Sequence, residues 1–133
     1  MAQSVTASAT GTLMLRQIPR SELRLRDVHR ITVALGPHGI RCLDLAPDVT
    51  QTPQLPYDKW LDDSDREKVP LWVPVGRLGS PTHFGMLAAF LASDHAGFVT
   101  GVSIPVDGGT LAAGGWYRSN RPGRTWTNRP YEP

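Results

Sequence analysis

Two short apolar segments lie far apart in the chain with a helical pattern between them, and this spacing restricts the fold more than any other feature. GIRCLDLA, residues 39–46, mixes apolar and polar positions over strand length and is closed by Pro47. GFVTGVSIPVDGG, residues 97–109, reads as a turn, a short strand and a glycine stop. Between them, in THFGMLAAFLASD, residues 82–94, Phe84, Leu87, Ala88 and Leu91 fall on one helical face, with Thr82 as a ready N-cap. Adjacent antiparallel strands can be joined by a tight turn, whereas parallel strands need a long crossover, usually a helix. The pattern therefore predicts a βαβ unit from an open parallel sheet of the α/β class. Pro105 cannot donate to a ladder, which places the second strand at a sheet edge. Such sheets commonly hold about five or six strands. Here two are legible, or three if the N-terminal arm adds one, so the unit is expected to be incomplete.

The remaining segments are assigned around that unit. Residues 1–20 are rich in Ser, Thr and Ala without a sustained period and read as a strand or a loose arm. A helix is expected from Ser21 to Leu35, with Ser21 as its cap, Leu25, Val28, Ile31, Thr32 and Leu35 at helical spacing, and Gly36-Pro37 as its stop. PDVTQTPQLP, residues 47–56, holds three prolines and is expected to be irregular, whereas the charged YDKWLDDSDREKV, residues 57–69, suits a short exposed helix. The predicted organisation is an arm over 1–20, a folded α/β body over 21–110 and a tail over 111–133.

Charge and cysteine content exclude several classes of function. The chain has 133 residues and a net charge of +2, distributed as +4 over residues 1–41, −5 over 42–110 and +3 over 111–133. Four Arg dispersed through the last stretch, beside Trp116, Tyr117, Trp126 and Tyr131, form no dense basic stripe, so nucleic acid is not the expected partner. The single cysteine, Cys42, permits neither an intramolecular disulfide nor a cysteine-built zinc site and suits a reducing, cytoplasmic location. His29, His38, His83 and His95 share no ligand spacing, so no metal is expected. No apolar run is long enough to span a membrane, and the first twenty residues lack the pattern of a secretory signal.

Three blocks in order, GPHGIRCLDLAPDVTQTP (36–53), PVGRLGSP (74–81) and FLASDHAGFVTGVSIPVDGG (90–109), resemble the C-terminal half of a short-chain dehydrogenase/reductase over about residues 28–110. The resemblance implies a partial Rossmann-type fold, doubly wound on a parallel sheet, and an oxidoreductase of alcohols or carbonyls using NAD or NADP. It also implies a catalytic Tyr whose pKa is lowered by a Lys four residues on. The family spacing places that pair near Gln17 and Ser21, so neither residue is present, and no glycine-rich phosphate turn precedes the region. Ser8 lies too close to the first helix to be the family's Ser and reads as an arm residue. Tyr117, four residues before Arg121, falls beyond the last strand, and an Arg does not deprotonate. No catalytic residue is therefore assigned.

What the resemblance retains is the nicotinamide-side loop. The family's Pro-Gly-x-x-x-Thr, whose backbone and Thr contact the carboxamide, corresponds to Pro47-Asp48-Val49-Thr50-Gln51-Thr52. Pro47, Val49 and Thr52 are thus the candidate cofactor-binding residues, while Asp48 adds bulk and charge in place of the glycine. An ordinary proline-terminated loop with an Asx-type turn fits the same residues equally well. Residues 54–70 hold the substrate-lid position, where Trp60, Leu61 and Trp72 either cover a ligand or pack the helix onto the body, with packing preferred.

Two functions follow as expectations. One is a truncated oxidoreductase without catalytic power alone, unless a complementing chain supplies the rest and with it a small-molecule substrate. The other is a non-catalytic assembly module, a homo-oligomer using residues 21–35 and 82–106, with Trp116 and Trp126 as interface anchors.

Overall fold

The computed structural model describes residues 2–7, 13–18, 25–119, 122–123 and 125–128. The chain divides into two compact units, Met1–Pro47 with Thr82–Val106, and Asp48–Pro81 with Asp107–Pro133. This division departs from the arm, body and tail read in the sequence, because the segment beginning at Asp48 packs with residues beyond Val106.

The first unit is built on a four-stranded sheet in the order β2-β1-β3-β4. Its strands are β1 (Ala2–Ala7), β2 (Leu13–Ile18), β3 (Arg41–Pro47) and β4 (Val102–Val106). The expected parallel pair is present: β3 and β4 run parallel from Leu43↔Val102 to Pro47↔Val106, and β4, with its Pro105, is an edge strand. The N-terminal region corrects the reading of an arm with one strand at most. β1 and β2 form an antiparallel hairpin, and β1 pairs antiparallel with β3 from Gln3↔Leu45 to Ala7↔Arg41, so the sheet is mixed.

Alternation along β3 decides what its residues meet. Leu43 and Leu45, both fully buried, join Ala88 and Leu91 of helix α4 (Pro81–Ala92) and Ala96 in one core, with Phe84, Leu87, Val99, Ile104 and Val106 packed around it. Burying each such leucine contributes about 1.5–3 kcal/mol. The predicted apolar face of α4 is therefore the buried one. The helix starts at Pro81, whose fixed φ suits a first helical position, so Thr82 lies inside the helix and is not its cap. Helix α1 (Leu25–Leu35) buries Val28 and ends in a 3₁₀ turn at Gly36–His38. The expected cap, Ser21, lies outside the described residues. Thr100 ties the turn before β4 to β3, accepting from the Cys42 N–H at 2.9 Å and donating to its carbonyl at 3.3 Å.

The second unit carries the irregular stretch and two helices where one was expected, α2 (Tyr57–Trp60) and α3 (Asp63–Trp72). Asp62 caps α3 by accepting the Asp65 N–H at 2.8 Å, and the helix runs past the residue 69 boundary through Pro70 to Trp72. Its core is Val49, Val69 and Val73 with Leu61, Trp72 and Leu78 against them. After the short helix α5 (Thr110–Ala113), the presumed tail forms a small antiparallel ladder, β5 (Tyr117–Arg118) with β6 (Trp126–Thr127), in which the Arg118 guanidinium lies 5.8 Å from the Trp126 ring centroid. Among the described residues, no helix is long and apolar enough to cross a membrane.

Candidate cofactor-side loop

The loop that follows β3 begins where Pro47 withdraws an N–H from the ladder. Val49 then makes the turn with φ 40°, in the left-handed region that a β-branched residue rarely enters. Such a conformation costs on the order of 1–3 kcal/mol and needs compensation. Burial supplies it, since Val49 is 7% exposed within the Val69–Val73 core.

The loop is then stitched to the segment around Gly79. The Gly79 N–H donates to the Val49 carbonyl at 3.0 Å, and the Gln51 N–H donates to the Gly79 carbonyl at 3.1 Å. A Cβ at Gly79 would stand 2.9 Å from Thr50 Oγ1, so any larger residue there has to displace the Thr50 hydroxyl. Further on, Thr52 turns back on Leu55, whose N–H donates to the Thr52 hydroxyl at 3.1 Å.

Asp48 does not face solvent idly. One carboxylate oxygen accepts the Val49 N–H at 2.9 Å, and the other accepts the Thr110 hydroxyl at 2.8 Å across 62 residues of sequence. Its carbonyl accepts the Thr50 hydroxyl at 2.9 Å. Thr110 is itself placed by the VDGG turn. Buried Asp107 accepts the Gly109 N–H at 2.8 Å and the Leu111 N–H at 2.9 Å, which fixes the start of α5. Gly108 and Gly109 take φ of 64° and 93°, and the Val75 N–H donates to the Gly108 carbonyl at 3.1 Å.

The fit of this loop to a nicotinamide carboxamide can be tested on these bonds. The Val49 N–H, a backbone donor at one of the candidate positions, is already committed to the Asp48 carboxylate. The Thr52 hydroxyl accepts from Leu55 and keeps its own proton to donate. Of the candidates Pro47, Val49 and Thr52, the structure thus places Pro47 as the strand terminator, Val49 with its donor spent, and Thr52 with a donor in hand. As folded, the loop does not fit a carboxamide at Val49. Reading the sequence missed Thr110 and Gly79 as its fasteners. The glycine in GRLGSP was the signal for one, and nothing local signalled the other.

The remaining candidates separate cleanly. Trp60 does not pack the helix as preferred: it is 59% exposed and meets Tyr57 edge-on at 6.2 Å, while Leu61 and Trp72 are half-buried against the valine core. Trp116 is half-exposed and Tyr117 sits in β5. Ser8, Ser21 and Arg121 lie outside the described residues, and Gln17 is a β2 residue paired with Gln3. Cys42 is buried, and burial, with the Asp44 charge adding to it, pushes its thiol pKa above the ordinary value. Among the described residues no three His, Cys, Asp or Glu come together as a metal site.

A family model described as enoyl-(acyl carrier protein) reductase matches residues 25–110. An L-rhamnose 1-dehydrogenase (NAD(P)(+)) from Azotobacter vinelandii is 37% identical over 106 residues, covering 80% of this chain and 41% of that protein. The (3R)-3-hydroxyacyl-CoA dehydrogenase of Mus musculus is 37% identical over 75 residues, 56% of this chain and 28% of that protein. Among solved structures, an oxidoreductase of the short-chain dehydrogenase/reductase family from Burkholderia thailandensis superimposes with a TM-score of 0.57 at 28% identity, covering 66% of this chain and 34% of that one. A 3-ketoacyl-(acyl-carrier-protein) reductase from Brucella melitensis, complexed with NADH, gives 0.51 at 32% identity over 65% and 32%. The chain thus spans about two fifths of the curated relative from Azotobacter vinelandii and about a third of these structures.

Proposed function

The chain belongs to the short-chain dehydrogenase/reductase family of oxidoreductases, and from that premise we propose that its residues 41–110 form the carboxyl-terminal part of an NAD- or NADP-dependent alcohol/carbonyl oxidoreductase fold, and that the 133-residue chain alone transfers no hydride. The observation that carries the second half is the commitment of the Val49 N–H to Asp48, which takes the backbone donor at that candidate position out of use. The residues at the family's proton-transfer positions support it, since Gln17 and Ser21 offer neither a phenol nor an ammonium. A purified 133-residue chain, assayed with NADH and NADPH against a panel of aldehydes and ketones, is expected to show no oxidation of the reduced cofactor. Turnover above the buffer rate, lost on heat denaturation, would refute the proposal.

A second reading, assembly, is favoured by the surface of the first unit. Met86 and Phe90 on α4 are 69% and 49% exposed, and Phe98, in the turn that follows, is fully exposed. Among the described residues β4 is an edge strand, with one side not joined to another strand. On this reading two copies of the chain cover that surface. Sedimentation velocity across a hundredfold range of concentration checks it, and a monomer throughout would rule it out.

A further inference from the structure

The Asp48 carboxylate makes two bonds that are separable from the turn itself, one to the adjacent Val49 N–H and one to the distant Thr110 hydroxyl. We propose that Asp48 is a latch, a positioning residue whose carboxylate stands in the loop where the carbonyl oxygen of an amide ligand would lie and so keeps that ligand out. The proposal rests on the assignment of residues 47–52 to the nicotinamide side of the fold.

The geometry supports a latch over a mere turn. An Asx-type turn needs one carboxylate oxygen on the backbone N–H two residues on, whereas Asp48 accepts from the next residue, Val49. Here the second oxygen is used as well, by a hydroxyl that the VDGG turn holds in place through Asp107. Both bonds end on the Asp48 carboxylate and are short, 2.9 Å from the Val49 N–H and 2.8 Å from the Thr110 hydroxyl. Asp48 has negative φ, since Val49 is the non-glycine residue with positive φ among the described residues, so the backbone at position 48 does not demand glycine. Asp48→Gly and Asp48→Ala therefore remove the latch with little backbone strain. Asp48→Asn keeps it: the amide oxygen accepts from Val49, and the amide nitrogen donates to the Thr110 oxygen.

The test uses the 133-residue chain labelled with ¹⁵N, following the Val49 and Thr52 amide resonances. Amide exchange at Val49 is expected to accelerate at least tenfold in Asp48→Gly and Asp48→Ala and to stay within threefold of wild type in Asp48→Asn. Nicotinamide mononucleotide, titrated to millimolar concentration, is expected to shift the Val49 resonance saturably in the Gly and Ala variants and to leave it unmoved in wild type and Asn. Equal exchange at Val49 in all four proteins, or a ligand shift in wild type as large as in Asp48→Gly, would overturn the latch. Faster exchange with no ligand shift in any variant would uphold the latch as a loop fastener and refute the assignment of the loop to nicotinamide.

Discussion

Gly108 is the position at which the VDGG turn meets the valine core, and replacing it with alanine gives a quantitative test of that contact. The residue has φ 64°, and a Cβ there would stand 2.9 Å from Val73 Cγ1. Left-handed backbone costs a non-glycine residue about 1–2 kcal/mol. The close approach adds an overpacking cost of about 1–3 kcal/mol, because Val73 is fully buried and stiff at χ1 and cannot swing aside. Gly108→Ala is therefore expected to destabilise the chain by about 2–5 kcal/mol. Val73→Ala alone loses about 2 kcal/mol of burial but removes the methyl in the way. The double variant should then be more stable than the sum of the singles predicts by about 1–3 kcal/mol, the relieved overpacking. Gly115→Ala supplies the control, since Gly115 has φ 87° with nothing within 4 Å of its Cβ position; it should cost only the backbone penalty and show no coupling to Val73. Urea denaturation followed by tryptophan fluorescence measures wild type, the three single variants and the double variants that combine Val73→Ala with each glycine replacement. Additivity of Gly108→Ala and Val73→Ala within about 0.5 kcal/mol would refute the reasoning, as would equal costs at Gly108 and Gly115.

Three other expectations follow from the same structure. Val49→Gly should be at least as stable as Val49→Ala, against the usual order of these residues, because glycine relieves the positive φ that alanine retains; the same urea titration compares them. In the first unit Asp44 is buried with Oδ2 accepting the Ser103 hydroxyl at 2.6 Å and Oδ1 without a partner among the described residues, so Ser103→Ala should cost about 1.5–3 kcal/mol, and adding Asp44→Ala should recover stability; a double variant less stable than Ser103→Ala would contradict this. The raised Cys42 pKa means that the unfolded chain releases the thiol proton at lower pH than the folded one, so stability is intact below the unfolded thiol value of about 8.5 and falls as pH rises from there through the folded value. Cys42→Ala should lack this alkaline decline in urea midpoints between neutral and alkaline pH, and an identical decline would sink the assignment.

What was legible in the sequence was what local period and punctuation encode. The face of α4 formed by Phe84, Leu87, Ala88 and Leu91 is written at helical spacing, and Pro105 marks a strand that spares its N–H, so both survive into the structure. The parallel pairing of β3 with β4 followed from the long crossover between them. The β1–β2 hairpin was not legible as two strands because Ala2–Ala7 is a Ser-, Thr- and Ala-containing run without apolar alternation, and its pairing is decided by β3, over thirty residues away. The expected helix ended at Val69, yet α3 runs on through Pro70, because the proline sits in the last turn, where the helix is about to end. The bond from Asp48 to Thr110 spans 62 residues and leaves no trace in either segment alone. The Asp48 substitution itself was visible; its two partners were not.

The hairpin has a kinetic meaning for reassembly. β3 is flanked by β4 on one side and by β1 on the other, so its backbone valences on both sides are filled from within one polypeptide. An invading strand can reach the β1 side only by exchange, peeling away the five residue pairs from Gln3↔Leu45 to Ala7↔Arg41 as it advances. Opening of the resident hairpin would then gate annealing, and at high invader concentration the observed rate should plateau instead of rising with dose.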